Sequence, residues 1–363
     1  MNRRAYLAGV AATATAGLAG CTLPGLGGSA PDDSTTTVGD QEVVVETFAT
    51  GLEVPWGAAF RDGDLYLTER PGRIVRVRDG EREVVRDMTD STAASGEAGL
   101  LGLVFHPDDP DVAYTYQTHT PNTRMLNRIL RHDVGNDWAF EEIVSGIPGA
   151  TTHDGGRLAV GPEGALYATA GDARERDGAQ DTETLNGKVL RLTLDGEPHP
   201  DNHFDNAVFT YGHRNPQGLA FRDDGVLFSS EHGPDRADEI NVLEAGNNYG
   251  WPDVMGDSGG EYTDPLVSYT PTIAPGSAAF YDGPISQWQG DLFVPMLKGS
   301  YLRRIRFDNR TVTEQEQLLV DEFGRLRTAF SGPGGHLYVT TSNRDGRGLA
   351  KDGDDRVIRL RPA

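Results

Sequence analysis

The sequence predicts an all-β fold, a propeller of six four-stranded antiparallel blades in one domain, from two recurring marks and the lack of a helical pattern. The first mark is a short apolar strand with an aromatic second residue. It occurs at Leu65-Tyr66-Leu67, Ala113-Tyr114-Thr115, Leu166-Tyr167-Ala168, Leu227-Phe228-Ser229, Leu292-Phe293-Val294 and Leu337-Tyr338-Val339. The leading residues are 48, 53, 61, 65 and 45 positions apart. The second mark is a partner strand a short way downstream, typically alternating apolar residues with Arg. Helical periodicity is absent over any window of about a dozen residues, while 46 Gly and 21 Pro punctuate the chain. A β-sandwich or two small barrels would leave the sixfold repeat unexplained.

Taken in order, the elements begin with targeting signals. Arg3-Arg4, an uncharged run from Ala5 to Gly20 and the box Leu18-Ala19-Gly20-Cys21 predict a twin-arginine-type lipoprotein signal over residues 1–21. That run is too short and too weakly apolar to span a bilayer well. Cys21 is the single cysteine, so the chain forms no internal disulfide, and acylation is its expected fate. The protein is then exported and lipid-anchored on the outer face of the cytoplasmic membrane, which it meets only through that lipid. Residues 22–40, rich in Gly, Pro, Ser and Thr, read as a flexible tether, and residues 41–363 as a single propeller domain.

Within the propeller, Asp62-Gly63 sets a hairpin turn before Leu65, and Arg73 to Val77 is the partner strand. The second repeat pairs Ala113 to Thr115 with Asn127 to Arg131. In the third and fourth, Gly164 and Gly225 precede the aromatic strands, with Lys188 to Leu192 and Glu239 to Leu243 as partners. Gly290 and Gly334-Gly335 open the fifth and sixth, followed by Tyr301 to Ile305 and Arg356 to Leu360. The strand Glu42 to Glu46 is placed to complete the last blade beside Val357 to Leu360, tying the ring shut.

Charge narrows the function. Lys plus Arg number 33 against 55 Asp plus Glu, a net charge of −22, so no basic stripe exists to meet a nucleic acid. Only three residues are lysine, and an acidic, lysine-poor surface of this kind suits a halophile, as in the haloarchaea. Walker, Rossmann, zinc-spacing and Gly-x-Ser-x-Gly signatures are all missing, so nucleotide, nicotinamide and serine-hydrolase chemistry find no support.

Four polar clusters interrupt the strand repeats, where propellers carry function in loops. His153, in Thr152-His153-Asp154-Gly155-Gly156-Arg157, sits among glycines that permit close approach by a ligand. Arg214 and Asn215 lie in Tyr211-Gly212-His213-Arg214-Asn215-Pro216, where Arg214 either clamps a carboxylate or braces the loop. In Glu231 to Glu239, carboxylates interleaved with turn backbone suit a hard cation such as calcium, or form a solvated acidic loop; the spacing is not that of an EF-hand. The last cluster is cationic: Lys298, then Arg325 and Arg327, which share one face of a strand. They form an anion site or internal salt bridges.

Taken together, these clusters resemble the soluble glucose/sorbosone dehydrogenases, the pyrroloquinoline-quinone-dependent aldose dehydrogenases. The resemblance runs from about Phe48 to Leu360 through Leu52-Glu53-Val54-Pro55-Trp56-Gly57, Thr68-Glu69-Arg70-Pro71-Gly72-Arg73, Gly99-Leu100-Leu101-Gly102-Leu103 with Phe105-His106-Pro107, His153 to Leu158, Leu185-Asn186-Gly187-Lys188, Tyr211 to Gly218, Glu231 to Glu239, Asn248-Tyr249-Gly250-Trp251-Pro252 and Ile273-Ala274-Pro275. It implies a six-bladed propeller, in agreement with the repeat count.

The resemblance also implies roles. His153 would be the general base toward the sugar's anomeric hydroxyl, and Arg214 would stabilise charge at the reacting quinone carbonyl. Lys298, Arg325 and Arg327 would neutralise the carboxylates of the cofactor, and Asn215 would help position it. The backbone carbonyls of Gly233 and Pro234 would hold a calcium ion, and Asp238, Glu239 and Tyr249 match a second, structural calcium of some relatives. Two positions depart from the pattern: Glu97 stands where relatives place Gln beside the substrate, and Thr152 where some place an acid or amide. The implied partner is a small-molecule aldose; the sequence names neither the sugar nor the electron acceptor. The competing functions are a calcium-dependent lactonase, which needs no anion clamp, and a non-catalytic propeller that binds sugar or protein.

Overall fold

The computed structural model describes residues 34–38 and 41–363; the segment read as an export signal, Cys21 and most of the segment read as a tether lie outside the described residues. Among the described residues every long element is a strand, joined by turns and single-turn 3-10 helices.

Six sheets form the ring. Blade one holds β3 (Pro55–Arg61), β4 (Asp64–Glu69), β5 (Arg73–Arg78) and β6 (Glu81–Asp87). Blade two holds β7 (Leu100–Phe105), β8 (Val112–His119), β9 (Leu126–Asp133) and β10 (Ala139–Pro148). Blade three holds β11 (Leu158–Val160), β12 (Leu166–Ala170), β13 (Lys188–Leu192) and β14 (Val208–Tyr211). Blade four holds β15 (Pro216–Phe221), β16 (Leu227–Glu231), β17 (Asp238–Leu243) and β18 (Val267–Tyr269). Blade five holds β19 (Ala279–Phe280), β20 (Leu292–Met296), β21 (Tyr301–Asp308) and β22 (Thr311–Leu318). Blade six is built from β23 (Leu326–Ser331), β24 (Leu337–Thr341), β25 (Val357–Pro362) and, from the other end of the chain, β2 (Gln41–Ala49).

The first sequence mark falls on the second strand of every blade. These strands are covered on both faces, so β4, β12, β16, β20 and β24 are buried at every residue and read as continuous apolar runs rather than alternating ones. The aromatic residue joins blades. Tyr66 packs on Phe105 with ring centroids 5.3 Å apart, Tyr167 on Phe221 at 5.3 Å, Phe228 on Phe280 at 5.0 Å and Tyr338 on Phe60 at 4.8 Å, each partner lying on the inner strand of the next blade. Each such pair adds about 0.5–1.5 kcal/mol beyond the area it buries. The second mark falls on the third strands, whose arginines reach carboxylates of the outer strands, as in Arg128 with Glu142 and Arg304 with Glu316.

Hairpin chemistry is as expected at Asp62-Gly63. Arg61 faces Asp64 across a two-residue loop in which both central residues have positive φ, +53° and +87°. The ring closes where β2 pairs with β25 in the register Val45 to Leu360, with Glu46 ion-paired to Arg359. One boundary is corrected. Within the segment read as a tether through residue 40, Ser34–Val38 forms β1, paired antiparallel with β2, and Val38 is buried in the core of blade six. The composition of residues 22–40 hid a short run of β-branched residues, Thr35-Thr36-Thr37-Val38, which suits an outer strand.

Antiparallel pairing puts the start of each first strand, the turn between second and third strands, and the end of each fourth strand at the same end of the ring. All four polar clusters lie in those connections.

Candidate active site

His153 lies in the segment between β10 and β11, with φ +66°, a left-handed conformation uncommon outside glycine and held here by close packing. A Cβ added to Gly171 would stand 2.0 Å from the His153 carbonyl, so only glycine lets the two backbones approach. The imidazole is held at both nitrogens. Nδ1 lies 2.8 Å from Oδ1 of the buried Asp172, and Nε2 lies 2.9 Å from Nη2 of Arg214. The carboxylate assigns the proton to Nδ1, so Nε2 presents its lone pair as acceptor. Asp172 is itself fixed, since Oδ2 accepts from the Trp251 indole N–H at 2.9 Å and Oδ1 from the Arg174 N–H at 2.8 Å.

Arg214 and Asn215 occupy the turn from β14 to β15. Glu231, at the end of β16, accepts from the backbone N–H groups of both and from His213 at 2.9 Å, and so sets the shape of that turn. Arg214 donates through Nη1 to the carbonyls of His232 and Gly233 at 2.9 and 2.8 Å, which aims Nη2 at His153.

Glu97 links three loops. Its carboxylate accepts from the His153 N–H at 3.0 Å, from the Asn215 amide at 3.2 Å and from Arg347 at 2.9 Å. Burial alone raises this carboxyl; His232, the His153 N–H and Arg347 together reverse that and hold it at about 2, fully ionised.

Glu97 also borders a cavity of about 330 Å3, where Lys298, Arg325, Arg327 and Arg347 are the cations and Ala274 and Leu297 supply apolar wall. Arg325 donates to Asp345 Oδ2 at 3.0 and 2.8 Å, and Arg327 stands 3.7 Å from the same oxygen. Although burial raises it, Arg327 and Arg325 keep the Asp345 carboxyl below the usual carboxylate range. The two arginines therefore answer both alternatives left open by the sequence: they share one salt-bridge partner and still line a cavity with surplus positive charge. A larger cavity of about 410 Å3 opens on blade two beside Asp109, Asp111 and Asp133 and contains none of the clustered residues.

The residues implied for calcium are placed less uniformly. The Gly233 carbonyl already accepts from Arg214, which leaves its second lone pair for a cation. Asp238 is taken up by structure, both oxygens accepting from Gly233, Thr272, Ile273 and Ala274. Its neighbour Glu239 faces the other side of β17 and borders, with Glu231 and Tyr249, a void of about 10 Å3. The Tyr249 hydroxyl is spent on the Val242 carbonyl at 2.6 Å. Asp238, Glu239 and Tyr249 therefore do not converge as one side-chain ligand set, and among the described residues no group of three or more His, Cys, Asp or Glu does.

Asp172, Asp345 and Arg347 are absent from the sequence reading. Carboxylates end the aromatic strand at Glu69 and Glu231, both buried and both four positions after the leading Leu, but Asp172 stands six positions after Leu166, so superposing the repeats would have aligned Ala170 instead and left Asp172 unmarked.

One buried acid beside His153 yields a prediction. Asp154 is 1% exposed; Oδ1 accepts from Ala150 and Asn127, and Oδ2 has no partner. Burial pushes its pKa to about 7 from 3.8, against the pull of those two donors. The folded state thus keeps a proton that the unfolded chain releases near 3.8, and the stability tied to it is complete below that pH and lost as pH rises toward 7. The full effect is on the order of 4 kcal/mol. Asp154→Asn, which mimics the protonated acid, is expected to melt like wild type below about pH 4 and to melt increasingly above wild type as pH rises toward about 7, the gap then staying constant to about pH 8. Parallel melting profiles for the two proteins would refute this assignment.

Fold and site define a six-bladed propeller with an aspartate-oriented histidine, an arginine on its other ring nitrogen and an adjoining cavity lined by cations. The profile of the glucose/sorbosone dehydrogenase family matches residues 52–351, and the chain belongs to that family. Quinoprotein glucose dehydrogenase B of Acinetobacter calcoaceticus is 30% identical over 410 residues, which take in 83% of this chain and 85% of that protein. The aldose sugar dehydrogenase YliI of Escherichia coli K12 is 30% identical over 344 residues, 84% of this chain and 91% of that one. Among solved structures, the pyrroloquinoline-quinone-bound aldose sugar dehydrogenase of Streptomyces coelicolor is 37% identical with a TM-score of 0.80, covering 91% of this chain and 99% of that chain.

Proposed function

We propose that this chain is an exported, lipid-anchored quinoprotein that oxidises aldoses at the anomeric carbon to lactones, using pyrroloquinoline quinone and calcium. The observation that carries the reading is the junction of two features at Glu97: a histidine whose Nε2 is an acceptor facing Arg214, and a cavity lined by four cations. A polycarboxylate of cofactor size suits that cavity, and Lys298, Arg325, Arg327 and Asn215 are the residues that would hold it. When bound, the quinone supplies a two-electron acceptor for hydride. His153 takes the hydroxyl proton on Nε2, and Asp172 stabilises the resulting imidazolium. Arg214 keeps a guanidinium beside the reacting atoms, where negative charge develops. Glu97 offers a carboxylate to sugar hydroxyls where relatives offer an amide. The carbonyls of Gly233 and Pro234 would hold the calcium ion. The cation clamp has no task in a lactonase.

Purified protein mixed with quinone and calcium in high salt is expected to reduce an artificial dye with aldoses. Chelation with EGTA is expected to stop that reaction and to lower the melting temperature, because calcium binds the folded state alone. Melting that ignores calcium would remove the metal from the reading, and dye reduction without added quinone would remove the cofactor.

A further inference from the structure

Four innermost strands meet on one side chain. Arg157, at the entry to β11, is 7% exposed and extends its guanidinium across the channel. Nε donates to the Gln217 carbonyl of β15 at 2.9 Å, Nη1 to the Trp56 carbonyl of β3 at 3.4 Å, and Nη2 to the Thr328 hydroxyl of β23 at 3.4 Å. Its Cζ stands 4.0 Å from the centroid of the Trp56 ring. All these partners are neutral, and among the described residues no carboxylate pairs with it. The charged group that acts on it is another cation, Arg327, which lines the cavity together with Gln217. Burial, with Arg327 adding to it, lowers the Arg157 pKa to about 9, so the guanidinium is still protonated at neutral pH.

A buried charge without an opposite partner is costly, and two adjacent ones more so. Closure of the channel does not require it, since a neutral amide could serve the same oxygens. What a fixed positive charge adds is a potential directed at the cavity, undiluted by a counter-ion and poorly screened by salt. We propose that Arg157 is a positioning residue for the anionic cofactor, closing the channel beneath the cavity and adding a buried positive charge to the Lys298, Arg325 and Arg327 clamp. This rests on the cofactor assigned above. The bound polyanion then offsets the desolvation of Arg157, so the channel plug and the ligand site form one electrostatic unit.

The test separates charge from shape by titrating the purified full chain with pyrroloquinoline quinone, in calcium at slightly acidic pH, and following absorbance. Arg157→Gln removes the charge and Arg157→Lys keeps it. Thr328→Asp sets a carboxylate against Arg157, whereas Thr328→Val removes only the hydroxyl. R157Q and T328D are expected to weaken quinone binding by about tenfold or more, and R157K and T328V to stay within about threefold of wild type. Equal affinities within each pair would overturn the proposal, whether both variants bind well or both bind poorly. If one pair fails to fold by circular dichroism, the other decides alone. A wild-type protein that takes up no quinone overturns the cofactor assignment and this proposal together; normal wild-type uptake with unaltered variants overturns this proposal only.

Discussion

His153→Asn is expected to cut turnover by about a thousandfold or more while quinone binding stays within a few-fold of wild type. Asparagine is chosen because the backbone at 153 has φ +66°, a conformation that Asn tolerates better than most residues and that would strain a larger replacement. The backbone N–H that anchors Glu97 is retained, so the cavity wall keeps its hydrogen bond. What disappears is the acceptor at Nε2 that faces Arg214. The loss should appear in kcat, since no ground-state contact to the cavity cations is removed. Turnover near the wild-type level, in a variant whose melting temperature is also unchanged, would sink the assignment of His153 as base. A fall in quinone affinity equal to the fall in kcat would instead place His153 in cofactor binding.

How much of this was legible in the sequence depends on the range of the interactions involved. The blades were legible because their marks are local: a Leu-aromatic pair after a turn glycine identifies a second strand buried on both faces, and alternating arginines identify a third strand facing an acidic fourth. Closure through β2 was legible because Val43 to Val45 is apolar enough to demand a partner. Strand β1 was not, since four of its five residues are Ser or Thr, residue types that the reading of 22–40 as a tether also relied on. The clusters around His153, Arg214, Glu231 and Lys298 stood out because they break the repeat, but their mutual arrangement is set by folding. Glu97 and Arg347 are 250 positions apart and meet because ring closure sets blade six beside blade one, a pairing that no spacing rule predicts. Adjacent carboxylates at 238 and 239 looked like one ligand set in the sequence, yet side chains alternate along a strand, so one turns inward to the Thr272 to Ala274 backbone and the other to the void by Glu231. The unanswered charge on Arg157 is likewise invisible to composition, because a chain with a net charge of −22 offers carboxylates almost everywhere except there.

Asp172→Asn is expected to lower kcat by about a hundredfold to ten-thousandfold with KM little changed, the loss coming from the wrong imidazole tautomer rather than from a lost side chain. In the native site Asp172 offers two oxygens, one shared by His153 Nδ1 and the Arg174 N–H, the other taken by the Trp251 indole. An asparagine has a single oxygen. If it serves Trp251, its NH2 group faces His153, and Nδ1 must then act as acceptor. The ring proton moves to Nε2, which points at Nη2 of Arg214, so two donors oppose each other at 2.9 Å and the lone pair needed for proton transfer is gone. Nitrogen-15 NMR of the His153 side chain reads this directly, because protonated and unprotonated ring nitrogens resonate far apart. The proton should sit on Nδ1 in wild type and on Nε2 in D172N. A large loss of kcat with the proton still on Nδ1 would show that Asp172 acts by stabilising the imidazolium, and an unaltered kcat with the proton relocated would show that Nε2 of His153 is not the site that receives the substrate's proton.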